Sequence, residues 1–360
     1  MIDVGFPIIV AKQGESPRER GQHHGEQFRF AIKELVEIRT KLMCEKNAKL
    51  TKQTIEKLAF EQWKITSDYD RELLEELEGI RIGANLSVEE IVILNNYTDF
   101  RDIQVDDQGC SLVYANDGRN AVGGQTWDMH GSAKLYACCM EIVSSDGHQQ
   151  LLFSVVGCVG MMGYNSDGLM IGINNINTDG ARSGVLWPVV VRKMLQQSKI
   201  SEARRVLQEA PVTSGHNYLI ADAEYGEMWE VMPDLSEQVA DSRQVISGQI
   251  FHTNHCLGLH AKQRELMLAQ TSTTHVRYGL LEKKVKQVSN MEDLYNLLND
   301  HENYPQAICS NFQTSSIDPS ITCGGAVGDL RSGRVRMWRG DPLYDHHFVG
   351  HDFEIALRVT

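Results

Sequence analysis

The stretch VDDQGCSLVYANDGRNAVGGQTWDMH, Val105 to His130, decides the reading of this chain. An acidic, turn-prone run leads into Gly109-Cys110. An alternating apolar segment, an Asp-Gly turn and a second segment ending in Gln-Thr-Trp-Asp follow, which is the pattern of a β-hairpin. The cysteine therefore stands at the head of a strand, just after a polar loop. A thiol in that place can attack the carbonyl of the preceding residue. The N-to-S acyl shift gives a thioester, provided the fold strains the peptide and supplies donors to the tetrahedral oxyanion. Hydrolysis then frees a new amino terminus. Glycine before the cysteine helps, having no Cβ to obstruct a strained backbone. The freed α-amino group, with an ordinary pKa near 8, can act as general base for the same thiol in later turnovers. Read alone, a cysteine after a glycine at a strand start is more often a small buried residue than a nucleophile, and the rest of the chain has to decide.

Before this hairpin the sequence is helical. Ser16-Pro17-Arg18-Glu19 forms a capping box with proline at the first helical position, and Phe28, Ile32, Leu35 and Val36 continue at helical spacing, which predicts one long helix. A second runs through SDYDRELLEELEGIRIGA with Leu73, Leu74, Leu77 and Ile80 as its apolar stripe, and Ser87-x-x-Glu90 caps a third. After Gly109 come short strands divided by turn signals, interrupted by helical inserts through WPVVVRKMLQQSKISEARRVLQEA, with a break expected near Ser201, and through THVRYGLLEKKVKQVSNMEDLYNLLND. Antiparallel strands in runs and helices in blocks predict an α+β layered fold.

The composition narrows the partners. With 360 residues, 42% hydrophobic and 23% charged, the chain can bury a large core, and a formal charge of -13 disfavours nucleic acid or an anionic membrane as partner. A small molecule fits better. No window approaches the roughly 20 apolar residues of a membrane span, and the start lacks a basic, apolar leader, so a cytoplasmic protein is expected. The eight cysteines are scattered without C-x-x-C spacing, so neither a disulfide framework nor a zinc site is expected.

The segment GCSLVYANDGRNAVGGQTWDMH resembles the signature of the acyl-coenzyme A:6-aminopenicillanic acid acyltransferase (isopenicillin N acyltransferase) family of N-terminal nucleophile hydrolases. Similar matches follow the family's order along the chain: GQHHGEQF (21–28), GYNSDGLMIGINNI (163–176) and FHTNHC (251–256). The resemblance implies a four-layer αββα sandwich made as a precursor. It also implies a cut between Gly109 and Cys110, leaving a helical segment 1–109 and a catalytic domain 110–360 that stay associated. It implies Cys110 as nucleophile and, after the cut, as α-amino base, Asp128 as the group that orients the amine, and Asn254 as an oxyanion donor. The implied activity is an amidohydrolase or acyltransferase working on a small N-acyl amide through a thioester. Coenzyme A-dependent acylation of a β-lactam or other amine is an alternative, and an unprocessed, non-catalytic homologue is a third reading. No cofactor is implied, although a coenzyme A thioester is a conceivable substrate, and a homo-oligomer is compatible. The family places a basic group in the late segment that enters the site, whereas QAICSNFQTS and SITCGGAV contain none.

Four further features invite bland readings. YDHHFVGHDF (344–353) lacks metal-ligand spacing and reads as a solvated polar end segment. His23 and His24 point about 100° apart on a helix and read as surface or inter-subunit residues. GGAVGDLRSG has no following helix or lysine and is not a phosphate loop. Cys138 and Cys139 face opposite ways on a strand, so only one could line a pocket.

Overall fold

The computed structural model describes residues 1–12, 14–46, 51–102, 109–268, 271–311 and 318–358. The polar run 103–108 before Gly109 lies outside the described residues. The predicted capping box forms, with the Glu19 amide donating to Ser16 Oγ at 3.3 Å and the Ser16 amide to Glu19 Oε2 at 2.9 Å, and it starts helix α1 (Pro17–Gln27). The expected single long helix is two, because Phe28 breaks the helical backbone (φ -112°, ψ 18°) before α2 (Arg29–Lys46). Helices α3 (Lys52–Tyr69) and α4 (Arg71–Ala84) follow, and α5 (Val88–Asp102) begins at Ser87, whose hydroxyl accepts from the Glu90 amide.

The glycines of GQHHGEQF have a packing explanation. Gly21 and Gly25 on α1 meet Gly79 and Gly83 on α4 so closely that a Cβ at any of the four would land on the other helix's backbone. His24 corrects the surface reading: it is buried, and its Nε2 accepts from the Gly157 amide at 2.9 Å, while His23 stays half exposed beside Glu15 at 2.7 Å.

Among the described residues the strands form two sheets. The larger runs in the order β1 (Ile8–Val10), β4 (Ala137–Val143), β5 (Gln149–Val155), β6 (Met162–Asn165), β7 (Met170–Asn175), β8 (His216–Ala221), β9 (Gly226–Met232) and β10 (Leu235–Asp241). The smaller runs in the order β11 (Gln249–His252), β2 (Leu112–Asn116), β3 (Ala121–His130), β12 (Ser320–Asp329), β13 (Arg334–Arg339) and β14 (Val349–Glu354). All of these pairings are antiparallel except β1 with β4, through which the N-terminal segment adds an edge strand to the larger sheet. The hairpin read from the sequence is β2–β3, in register from Leu112↔Gln125 to Asn116↔Ala121. Of the tail segment 344–353 read as solvated, residues 344–348 form a turn, and from Val349 on the chain is strand β14 (Val349–Glu354), paired with β13 from Arg334↔Glu354 onward. Its alternation of half-buried and exposed residues is that of an edge strand with one wet face, which is why it reads as polar.

The two sheets face each other. Gln125 on β3 bridges them, accepting from the Ile173 amide of β7 at 2.7 Å and donating to the Ile173 carbonyl at 3.1 Å, and Tyr164 of β6 donates to the Gly123 carbonyl at 3.0 Å. Glycine at 123 lets the sheets close, since a Cβ there would strike Met170 Sδ. Strand β2 is apolar on both faces for the same reason. Leu112 and Tyr114 enter the core between the sheets, whereas Val113 and Ala115 face outward against α8 (Thr274–Lys284) and α9 (Met291–Leu298). On the far side, α6 (Trp187–Leu195) and α7 (Ile200–Glu209) join the N-terminal helices over the larger sheet, with the break at 196–199, close to the expected Ser201. The result is the expected α+β sandwich of four layers, αββα. A buried cluster ties its helical layer down: Glu76 of α4 pairs with Arg20 at 2.6 Å and Arg192 at 3.1 Å, and Arg192 also reaches Gln150 of β5 at 3.0 Å.

Candidate active site

Cys110 is buried two residues ahead of the start of β2. Its amide donates to Asn254 Oδ1 at 2.7 Å, and its carbonyl accepts from Arg277 Nη1 at 2.7 Å and Asn174 Nδ2 at 3.1 Å. The residue is thus held from three other elements: the segment after β11, helix α8 and strand β7. Gly109 is required for space and not for an unusual backbone angle. A Cβ there would lie 2.5 Å from Arg277 Nη2 and 3.1 Å from Asp128 Oδ2.

The structure brings the three sequence-predicted residues together. Asn254 stands directly after the β11 edge, its amide donating to Thr274 Oγ1 at 2.7 Å. Two donors, the Cys110 amide and Arg277 Nη2 (2.9 Å), converge on its Oδ1, which fixes the orientation of the side-chain amide. Nδ2 donates to the Asn175 carbonyl at 2.9 Å. Asn254 therefore grips the nitrogen of Cys110 first, and its amide offers one further N–H. Asp128, near the end of β3, is buried beside Gly109, and among the described residues no hydrogen bond of ordinary geometry reaches either carboxylate oxygen.

Electrostatics separate the two acids. Burial pushes the Cys110 thiol up to about 12; the Asp128 charge adds to this, while the Asp128 amide and Arg277 oppose it. Burial also pushes the Asp128 carboxyl up to about 7, opposed by the Arg277 guanidinium and the nearby Thr322 and Thr126 hydroxyls. The thiol will not ionise unaided near neutrality. The carboxyl beside it sits where it can exchange a proton.

Sequence reasoning missed Arg277. It was sought in the late segments, but it enters from α8, fully buried, donating also to Ser111 Oγ at 3.1 Å and to Thr273 Oγ1 at 3.0 Å. One signal was available. Thr274, Arg277, Leu280 and Leu281 share one helical face, so the arginine lies on the stripe that must be buried. Asn174 was missed as well, although it lies inside the quoted GYNSDGLMIGINNI; Asn217 holds it, donating to Asn174 Oδ1 at 3.0 Å.

The remaining candidates disperse. Among the described residues His346, His347 and His351 form no group of metal ligands, His351 Nε2 lying 3.0 Å from the Phe6 carbonyl. GGAVGDLRSG is β12 with the turn after it. Cys138 and Cys139 are both buried, and neither lines the cavity at Cys110. That cavity, about 40 Å³, is bounded mainly by Trp127, Met129, Met161, Met162, Ile173 and Trp187.

With this geometry in place, comparison with known proteins is decisive. The sequence profile of the family described as acyl-coenzyme A:6-aminopenicillanic acid acyl-transferase matches residues 115–343. The chain belongs to this family. It is 28% identical over 311 residues, 85% of each chain, to the 40 kDa form of acyl-coenzyme A:6-aminopenicillanic-acid-acyltransferase of Emericella nidulans. Among solved structures, penicillin V acylase from Agrobacterium tumefaciens is similar over 64% of this chain and 83% of its own, with 14% identity and a TM-score of 0.33. A mutant conjugated bile acid hydrolase from Clostridium perfringens is similar over 70% of this chain and 99% of its own, with 10% identity and a TM-score of 0.36. As a member of this family the chain is an enzyme of the acyltransferase class. No helix among the described residues is long and apolar enough to cross a membrane.

Proposed function

We propose that this family member is made as a precursor, cuts itself between Gly109 and Cys110, and then hydrolyses a small N-acyl amide through a thioester on Cys110. The observation that carries this is the clamp on Cys110: its nitrogen on Asn254 Oδ1, its carbonyl on Arg277 and Asn174, and a carboxyl with a pKa of about 7 beside the scissile glycine.

In the cut, Cys110 Sγ attacks the Gly109 carbonyl carbon while its proton passes to Asp128. The transfer runs uphill, from a thiol that burial pushes up to about 12 to a carboxyl pushed up to about 7, so it accompanies attack and does not precede it. The carbon–nitrogen bond breaks, the proton goes to the nitrogen, and water hydrolyses the Gly109 thioester. Segments 1–109 and 110–360 remain associated, because β1 and α1–α5 are built into the larger sheet and its covering layer. The freed amine stays on Asn254 Oδ1 and near Asp128, where it takes the thiol proton at each later turnover. The second N–H of Asn254 Nδ2 serves the oxyanion of the substrate.

The apolar rim of Met161, Met162, Trp127 and Trp187 suits an apolar acyl group. Arg277 spends its donors on Cys110, Ser111, Asn254 and Thr273 and so does not offer them to an anionic donor such as coenzyme A. Hydrolysis is therefore favoured over coenzyme A-dependent acylation of a β-lactam amine, the activity named for the Emericella nidulans relative. A cytoplasmic location, where thiols are kept reduced, would preserve the free Cys110 thiol. A panel of N-acyl amides, penicillins and acyl-coenzyme A donors, with Cys110→Ala as blank, tests the reading. Amide hydrolysis should exceed acyl transfer, and a coenzyme A-dependent rate above every hydrolysis rate would reverse the assignment.

A further inference from the structure

Away from Cys110, the chain gathers a second set of chemically active groups. His301 and Cys309 flank the loop after α9, and Asp341 lies just beyond the end of β13. Asp341 Oδ2 is 2.8 Å from His301 Nε2 and 3.7 Å from Cys309 Sγ, and all three donor atoms lie within 4.8 Å of one another. The carboxylate is already oriented: its Oδ1 accepts from the Leu343 amide at 2.8 Å and the Tyr344 amide at 3.3 Å, which leaves Oδ2 for the centre. The His301 ring is held edge-on by Tyr344, at 5.1 Å between ring centroids. Cys309 is buried, and His301 and Asp341 are only partly exposed.

We propose that His301, Cys309 and Asp341 bind one divalent ion of the zinc class, with solvent as the fourth ligand. One nitrogen, one sulfur and one oxygen donor form a set that suits zinc and not the all-oxygen shells of calcium or magnesium. Bonds of about 2.0–2.3 Å in a tetrahedron set ligand atoms roughly 3.3–3.8 Å apart, so small side-chain rotations bring these donors to bonding distance. Sequence spacing gave no hint, since the ligands come from two segments about thirty residues apart and match no finger pattern.

The ion would brace the active site from behind. Ser310, next to Cys309, donates its amide to Thr322 Oγ1 at 2.8 Å and accepts the Thr322 amide at 2.7 Å, and Thr322 pairs across the sheet with Asp128. The inference does not depend on the role of Cys110.

Cobalt(II) added to chelator-treated, full-length protein is the test. We expect one equivalent per chain, with intense tetrahedral visible bands and a near-ultraviolet thiolate-to-cobalt charge-transfer band, all displaced by zinc. Cys309→Ser should abolish the charge-transfer band and His301→Gln should weaken binding at least about 10-fold, while Cys110→Ala keeps the full spectrum. Circular dichroism shows which variants are folded, and Asp341→Asn replaces any that is not. Absence of a cobalt spectrum in the wild type, or its survival in the Cys309 and His301 variants, would overturn the proposal.

Discussion

Replacing Arg277 by glutamine tests the electrostatics of the cut most sharply. The guanidinium lies against Gly109 on the side of Asp128, and its charge is the largest of the effects opposing the burial that pushes the carboxyl up to about 7. An opposite charge within about 4–6 Å lowers a carboxyl by about 1–3 units, so its removal should raise Asp128 by about 1–2 units. At pH 7 the ionised fraction then falls from about one half to between a tenth and a hundredth. If Asp128 accepts the thiol proton, cleavage at pH 7 slows roughly 5- to 50-fold. The assay is the rate at which unprocessed precursor from cell-free synthesis splits, followed by gel across a pH series. Wild-type cleavage should rise with pH through about 7 and then level. Arg277→Gln should show the same rise displaced upward, with the rate recovered at alkaline pH. Arg277→Lys, which keeps the charge and loses the fork on Cys110 and Asn254, should keep the wild-type midpoint at a lower plateau. An unmoved midpoint in Arg277→Gln would refute the role given to the pair.

Asn254→Ala should lower turnover by about 10²–10³ with the chain still folded by circular dichroism, since it removes the grip on the Cys110 nitrogen and a prospective oxyanion donor. Gly109→Val should slow precursor cleavage strongly, as read by gel, because its Cβ would meet Arg277 at 2.5 Å. In a Cys110→Ala background, Asp128→Asn should stabilise the protein in urea titrations at pH 8 by a few kcal/mol and have little effect near pH 3.5. The folded carboxyl sits above its ordinary value, so its contribution is present below about 4 and lost as pH rises through about 7.

What the sequence revealed and what it withheld follow from the range of the interactions. The capping box at Ser16, the β2–β3 hairpin and its flanking turns are local, fixed by residues three or four apart or by one Asp-Gly turn, and all were legible. Where one long helix was expected, two formed, because the break at Phe28 has no proline or glycine to announce it. His24 looked like a surface residue because its partner, the Gly157 amide, is 133 positions away. The site divided in the same way. Cys110, Asp128 and Asn254 stood in recognisable motifs, whereas Arg277 lies in an ordinary helix 167 positions from the carbonyl it holds. Only the packing of α8 on the smaller sheet brings it there, and its position on a buried helical face was the one local trace.

Whether Cys110 becomes a chain terminus is read directly by intact mass measurement of the purified wild-type protein with sequencing of its amino termini. Wild-type protein should yield two associated fragments, the larger beginning Cys-Ser-Leu-Val, and Cys110→Ala a single uncut chain. A wild-type protein that turns over substrate as one intact chain would contradict the proposed cleavage.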